Sequence, residues 1–355
     1  MPRTLIYLLA FACAQISLAA ETTTNTTLVD QAMSLQLYKH PTWLKLLHIS
    51  GGHQTSDIHS ANFFLSGNNK SNAKEELKAT IEAITAAIPE KANDHAICKF
   101  RGRYVWLRNL LDFDSHKIVK PVCSDYNEWS YNDDIDSLSV VFATGFLDNP
   151  ASYYGHTLIK VNTTDNDISA LEDTSINFGA NIPLGEGSIR YIVKGLVGGY
   201  DASFTHSQYF YHSHNYGEAE LRDLWEYKLD LSPYEIDLLL GHLWELLGQQ
   251  YTYYFLNRNC SHRMAEVFAL LDIDVIPNTK IWSMPQRFLQ KIAAVKRQKK
   301  PLVSEVIRHP SRQSKLYNRY SKLSHTQKKN VQSLINDNSL ANEKRFLSLP
   351  VKEKH

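Results

Sequence analysis

Cysteine is scarce in this chain: four residues in 355, one of which, Cys13, falls in a segment that reads as removable. Arg3, the apolar run Leu5 to Ala14 and the small-x-small triplet Ser17-Leu18-Ala19 have the order of a signal peptide over residues 1–20. Cys98, Cys123 and Cys260 then remain. An odd count in an oxidising compartment excludes a fully paired framework and leaves one thiol to account for. Cys98 and Cys123 lie close enough in sequence to bridge, so Cys260 is expected to stay free. Long apolar runs are missing too: after the leader, nothing approaches the roughly 18 uncharged apolar residues that span a bilayer. The expectation is an exported protein, soluble or peripheral. A lipoprotein anchor fits poorly, because Phe11 in Ala10-Phe11-Ala12-Cys13 stands where a small residue is wanted. Net charge is nearly absent, at +1, and that balance hides an asymmetry. From Lys291 onward 16 Lys/Arg face 4 Asp/Glu, which leaves the rest net acidic. A basic extension suggests an anionic partner, and for an exported protein that means membrane lipid rather than nucleic acid. No internal repeat is evident.

What is present divides in order along the chain. Residues 21–34 are polar and Thr-rich and read as a loose arm. Helical spacing of apolar residues starts at Pro41-Thr42-Trp43-Leu44-Lys45-Leu46-Leu47-His48 and returns over Lys74 to Ile88, stopped by Pro89. Tyr104 to Leu111 resembles a further helix. An α-rich region over residues 21–135 is therefore expected. Strand formers then take over: Ser139 to Thr144, Thr157 to Val161, Ser175 to Ala180, Ile189 to Val197 and Leu224 to Leu231, with glycines between them. Ser232-Pro233-Tyr234-Glu235 is a capping box with proline at the first helical position, and it opens a helix to about Gln250. A Tyr-rich connector leads to Cys260, and Ser261 to Leu271 reads as a core helix. A second region over residues 136–290 and a basic extension over residues 291–355, helical in pieces, complete the division.

This reading sets Cys260 in the first turn of a helix packed on a sheet. Unpaired N–H groups and the positive end of the helix dipole there favour a thiolate and can hold an oxyanion. A thiolate enzyme needs an imidazole, and His156, after Gly155 at the start of a strand, is the candidate. The alternative for it is a loop-end histidine bonded to backbone. Asn177, a polar residue between Ile176 and Phe178 on an adjacent strand, can orient the ring or can face solvent. The order His156, Asn177, Cys260 reverses that of papain, but such a site is defined by geometry rather than chain order. Strand, strand and helix bearing His, a polar residue and Cys is the arrangement of circularly permuted papain-like (NlpC-like) folds. The expected fold class is thus α+β: an antiparallel sheet packed on the cysteine-bearing helix, after an α-helical N-terminal region. His206, His212 and His214 suggest a metal pair, yet no carboxylate or second motif completes it and the Tyr- and Ser-rich stretch Phe204 to Tyr216 reads as an exposed loop, so neither metal nor cofactor is expected. Arg263 can hold an anionic head group or sit in a salt bridge. Asp223 and Glu226 are expected to be structural.

Several segments together resemble a known family. Gly155-His156-Thr157, Ile176-Asn177-Phe178-Gly179-Ala180, Lys194-Gly195-Leu196-x-Gly198-Gly199-Tyr200, Arg222-Asp223-Leu224-Trp225-Glu226-Tyr227 and Asn259-Cys260-Ser261 resemble the Lnb-type N-terminal periplasmic domain of bacterial envelope proteins. Trp43-x-x-Leu46-Leu47-His48, Phe63-Phe64-Leu65-Ser66 and Cys98-x-Phe100-x-x-Arg103-Tyr104-x-Trp106-Leu107 fit it too. The resemblance covers about residues 40–290. It implies a permuted papain-like cysteine site and, by the best-understood relatives, N-acylation of lipoproteins. Three function classes follow: an acyltransferase passing a fatty acyl group through a thioester on Cys260, a cysteine amidase or peptidase acting on cell-wall peptides, and an inert envelope-binding module. Cys260, His156 and Asn177 argue against the last. The run Tyr251, Tyr253, Tyr254, Phe255 can line an acyl groove or belong to the core, and Tyr254 is the candidate there. Acyl transfer is preferred, with an envelope lipid or lipoprotein as substrate and peripheral membrane contact through the basic extension.

Overall fold

Thr27 and Asp30 cap one another at the start of α1 (Leu28–Ser34), satisfying orphan N–H groups of its first turn. The stretch expected as a loose arm is therefore helical from Leu28, and Leu28 and Ala32 are buried. The computed structural model describes residues 27–49, 55–67, 72–131, 134–147, 152–164, 170–183, 185–276, 284–337, 339, 342 and 344–348. The leader expected over residues 1–20 lies outside the described residues.

Helices α2 (Pro41–Leu46), α3 (Ala73–Ile84), α4 (Ala96–Lys99), α5 (Arg101–Leu110) and α6 (Ser124–Trp129) follow before any strand. In α3, Leu77, Thr80, Ile81 and Ile84 are buried, at the spacing that predicts one core-facing stripe. Trp43 of α2 is fully buried; its Nε1–H donates to the Ala73 carbonyl at 2.9 Å and its ring stacks on Trp106 of α5 at 5.7 Å. Cys98 of α4 is joined to Cys123, just before α6, in a disulfide with Cα atoms 5.2 Å apart.

The second half forms one seven-stranded sheet in the order β6-β4-β3-β2-β1-β5-β9, antiparallel throughout. The strands are β1 (Ile135–Ala143), β2 (His156–Thr163), β3 (Thr174–Ala180), β4 (Tyr200–Gln208), β5 (Leu224–Leu229), β6 (Tyr251–Tyr253) and β9 (Val303–His309), with a two-residue hairpin, β7 (Lys296–Arg297) and β8 (Lys300–Pro301), before the last. The helices here are α7 (Ser188–Val197), α8 (Tyr209–His214), α9 (Pro233–Leu246), α10 (Cys260–Phe268), α11 (Pro285–Ala294), α12 (Arg312–Ser321), α13 (His325–Asn336) and α14 (Lys344–Leu347). The Ser232–Glu235 capping box and Pro233 open α9 as expected. Helix α10 lies against β2 and β3 with α9 and α11 beside it, burying Val140, Phe142, Ile159, Ile176 and Phe178. Val141, Ala143, Leu158 and Leu224 form a smaller cluster with Tyr209 of α8.

This is the α+β architecture expected, and its order of strand, strand and helix is compatible with a permuted papain-like core. Four local readings are corrected. Ile189–Val197 is a helix, because its apolar residues recur at i, i+3, i+4, i+7 and i+8, and that period outweighs β-branched composition. The Tyr-rich connector contains β6, and Phe204–Tyr216 is β4 followed by α8 rather than a loop. The basic extension also contributes to the sheet: β9 pairs with β5, and residue 290 falls inside α11.

The N-terminal helices are bound tightly to this half. Helices α5 and α9 cross so closely that a Cβ on Gly102 would lie 2.6 Å from the His242 backbone nitrogen. Beside the crossing, buried Arg103 holds Glu76 at 2.6 Å and Glu245 at 3.3 Å.

Candidate active site

Asn259 caps α10, its Oδ1 accepting from the His262 N–H, and this places Cys260 as the first helical residue. Ser261 Oγ donates to the same Oδ1 at 2.8 Å, which fixes the cap. Cys260 is buried and free, as the cysteine count requires. His156 begins β2 and is partly open to solvent. Its Nε2 lies 2.5 Å from Asn177 Oδ1 on β3. The pairing register accounts for the contact: Leu158 of β2 opposes Asn177, so His156, two residues earlier, leans along the same face toward the amide. With Nε2 donating to Asn177, Nδ1 is left for the sulfur.

Electrostatics link the imidazole and the thiol. Burial would push the Cys260 thiol up, but the charge and hydrogen bond of His156, with the Thr157 N–H, overcome it and bring the thiol down to about 7. Burial disfavours a charged His156, yet the Cys260 thiolate and the Asn177 hydrogen bond raise it on balance, against the opposing charge of Arg222. The two groups thus shift one another in opposite directions, the thiol down and the imidazole up.

The surroundings contain residues to which sequence reasoning gave no role. Thr157, next to His156, turns its N–H toward the sulfur, while its buried hydroxyl has no hydrogen-bond partner. The Cys260 N–H points at the oxygen of buried Tyr253, whose ionisation is strongly suppressed by burial and by the neighbouring thiolate. Alternation of Tyr251 and Tyr253 signals a strand, but nothing in the sequence aims Tyr253 at the helix start. Arg222 is buried, with its Nε donating to the Thr144 carbonyl at 2.5 Å and Nη2 to Ala143 at 3.1 Å, and it lies over the Tyr216 ring at 4.7 Å. Tyr216 in turn stands 6.0 Å from the His156 ring and stacks on His212. Burial and the nearby His156 push His212 down to about 4, so it stays neutral beside the pair.

The other candidates lie elsewhere. Tyr254 lays its half-buried ring over Gly198, where a Cβ would sit 2.5 Å from it. Arg263 is fully buried beneath the cysteine-bearing turn, with Nη1 2.7 Å from Glu266 and 3.0 Å from Asp57, and its guanidinium lies 4.6 Å from the Tyr251 ring. That environment corrects the head-group reading, since a ligand would have to displace two carboxylates from a sealed site. Asp223 binds Arg308 at 2.6 Å, and Glu226 binds His309 at 2.9 Å and Lys160 at 3.6 Å. The histidines considered for a metal are divided: His206 lies against Trp129, His212 against Tyr216 and His214 against Phe210. Among the described residues, no group of three or more His, Cys, Asp or Glu could hold a metal ion. Among them also, no helix is long and apolar enough to cross a membrane.

No curated protein and no solved structure matches the chain. Residues 35–110, which carry most of the N-terminal helices, match a domain family of unknown function, DUF7843. Residues 125–294, which hold His156, Asn177 and Cys260, match the Lnb N-terminal periplasmic domain family.

Proposed function

We propose that this protein is a cysteine acyltransferase of the bacterial envelope, working through a thioester on Cys260 and acting on an envelope lipid or lipoprotein. The observation that carries the reading is the sulfur at the start of α10 facing an imidazole held by Asn177. In the first half-reaction the thiolate attacks the carbonyl of an ester-linked acyl chain. The oxyanion is received by the Tyr253 hydroxyl, whose oxygen accepts from the Cys260 N–H and whose O–H is thereby a stronger donor. The ester C–O bond breaks, and the imidazolium gives its proton to the departing alkoxide. In the second, an amine attacks the thioester, His156 takes a proton from the amine, and the C–S bond breaks to release the amide and restore the thiolate. Asn177 keeps the ring in the required tautomer throughout.

Aromatic rings near Cys260 support an acyl chain over a peptide as donor: Tyr253 lies 5.9 Å from Phe178 and 5.8 Å from Phe255, and Phe255 5.0 Å from Tyr191. Peripheral membrane contact through the basic extension belongs to the same proposal. Arg297, Arg308 and Lys315 are engaged by Glu235, Asp223 and Glu218, while Arg312, Arg319, Lys322 and Lys329 remain exposed.

Intact-mass spectrometry of protein recovered from membranes tests the chemistry. The expected result is a fatty-acyl mass increment on Cys260, released by neutral hydroxylamine and missing from Cys260→Ser. Lack of an adduct when no amine is supplied, together with turnover of cell-wall peptides, would replace transfer with hydrolysis.

A further inference from the structure

Helix α7 is oriented the opposite way from most surface helices. Ile189, Ile192, Val193, Leu196 and Val197 form one continuous apolar stripe, and all five are exposed, Ile189 at 81 % and Val197 at 69 %. The buried member of the helix is Gly195. There the helix rests on the Phe255 ring so closely that a Cβ would lie 2.3 Å from it, and the Phe255 N–H donates to the Gly195 carbonyl at 2.8 Å. The apolar face is thus turned to solvent by a tight inner contact rather than left outward by loose packing.

Its position matters. Helix α7 joins the end of β3 to the start of β4, which is the end of the sheet where β2 begins with His156. Phe255 and Tyr254, on which the helix sits, run directly into the turn that ends at Cys260. Leu147 and Tyr153, between β1 and β2 at this same end, are also exposed. Charge adds a second observation. The helix carries Arg190 and Lys194 and no acidic residue. The neighbouring Glu186 is turned inward, with a side chain 5 % exposed, held by Lys194 at 2.8 Å, Arg190 at 3.3 Å and the Tyr200 hydroxyl at 2.7 Å. An apolar stripe with a basic border complements the interface of an anionic phospholipid membrane.

We propose that α7 docks this protein on an anionic phospholipid surface and sets the Cys260 end of the sheet against the lipid. The role of that docking, delivery of an acyl chain to the sulfur, rests on the acyltransferase reading; the docking itself does not. Flotation of the full chain with vesicles of phosphatidylglycerol and phosphatidylethanolamine, against phosphatidylcholine alone, tests it. The wild type should float with the anionic vesicles. The double variant Ile189→Ser/Val193→Ser should lose partitioning by about tenfold or more, since it removes two inserted aliphatic chains, and Arg190→Glu should weaken it as well. Both variants should keep wild-type alkylation of Cys260 by a small water-soluble reagent, which shows that the fold is intact. Equal flotation of the double variant and the wild type would overturn the proposal. So would a wild-type dimer in sedimentation that the double variant dissociates, with no vesicle binding by either, because the face would then meet a second copy. Cys260→Ser should float like the wild type. Flotation without an acyl adduct would remove the chemistry alone, and an adduct without flotation would remove the docking alone.

Discussion

The sulfur of Cys260 is governed by one neighbour more than by its own helix. Below a pH of about 7 it takes up its proton, so alkylation at Cys260 should fall there, whereas an ordinary thiol loses reactivity already below about 8.5. His156→Ala removes the cation and leaves burial opposed only by the Thr157 N–H, so the alkylation midpoint should move up. Asn177→Ala should move it less, because Asn177 acts through the ring. A midpoint unchanged by His156→Ala would detach the imidazole from the thiol. Tyr253→Phe tests the oxyanion contact: it should lower acyl transfer about 10²-fold while leaving the alkylation profile near that of the wild type. Cys260, His156 and Asn177 were legible because each sits in a short pattern with its own signature: a cap before a helix, a glycine before a strand, and a polar residue between apolar ones. Thr157 and Tyr253 were not, since their roles depend on where one N–H and one sulfur point across the sheet. Arg263 was misplaced for a related reason. A helix sequence tells that an arginine is near a site but not which face it turns to.

Among the elements, α10 carries chemistry at one end and charge along its flank. Arg263 lies between Asp57 and Glu266, while Glu266 also meets His262 at 3.3 Å and His48 at 3.4 Å. Burial raises the Glu266 carboxyl, but the charges of Arg263 and His262 outweigh it and hold the group well below the usual range. Replacing Arg263 with Leu removes the buried cation shared by Asp57 and Glu266, leaving Asp57 to Arg258 and Glu266 to His262 and His48. The expected cost is about 3–5 kcal/mol, read as a drop in denaturation midpoint. Unaltered stability with lost activity would return Arg263 to the substrate. The elements were legible where period and caps agreed, as in α3 and α9. They were misread where composition opposed period, as in α7, or where a strand was only three residues long, as in β6.

At the scale of the whole molecule, the disulfide closes a 25-residue separation within the helical half. Its loss should cost about 3 kcal/mol, measured as the shift in unfolding midpoint when Cys98 and Cys123 are both replaced by Ala. Non-reducing peptide mapping should recover the two cysteines in one linked fragment. The two halves are not independent, since the Gly102 crossing and the Arg103 ion pairs tie α5 to α9. No sequence pattern announced that tie, because each partner is an ordinary helix residue until the other arrives from about 140 positions away.

Strand β9 brings time into the picture. It covers the edge of β5, yet it is made roughly 80 residues later. Until residue 309 has been added, β5 offers Trp225 and Tyr227 on an open strand edge able to recruit any extended chain nearby. Any chain that folded before β9 was complete would carry that edge uncovered. A chain truncated before Val303 should therefore aggregate more readily than the full chain, read by light scattering at equal concentration.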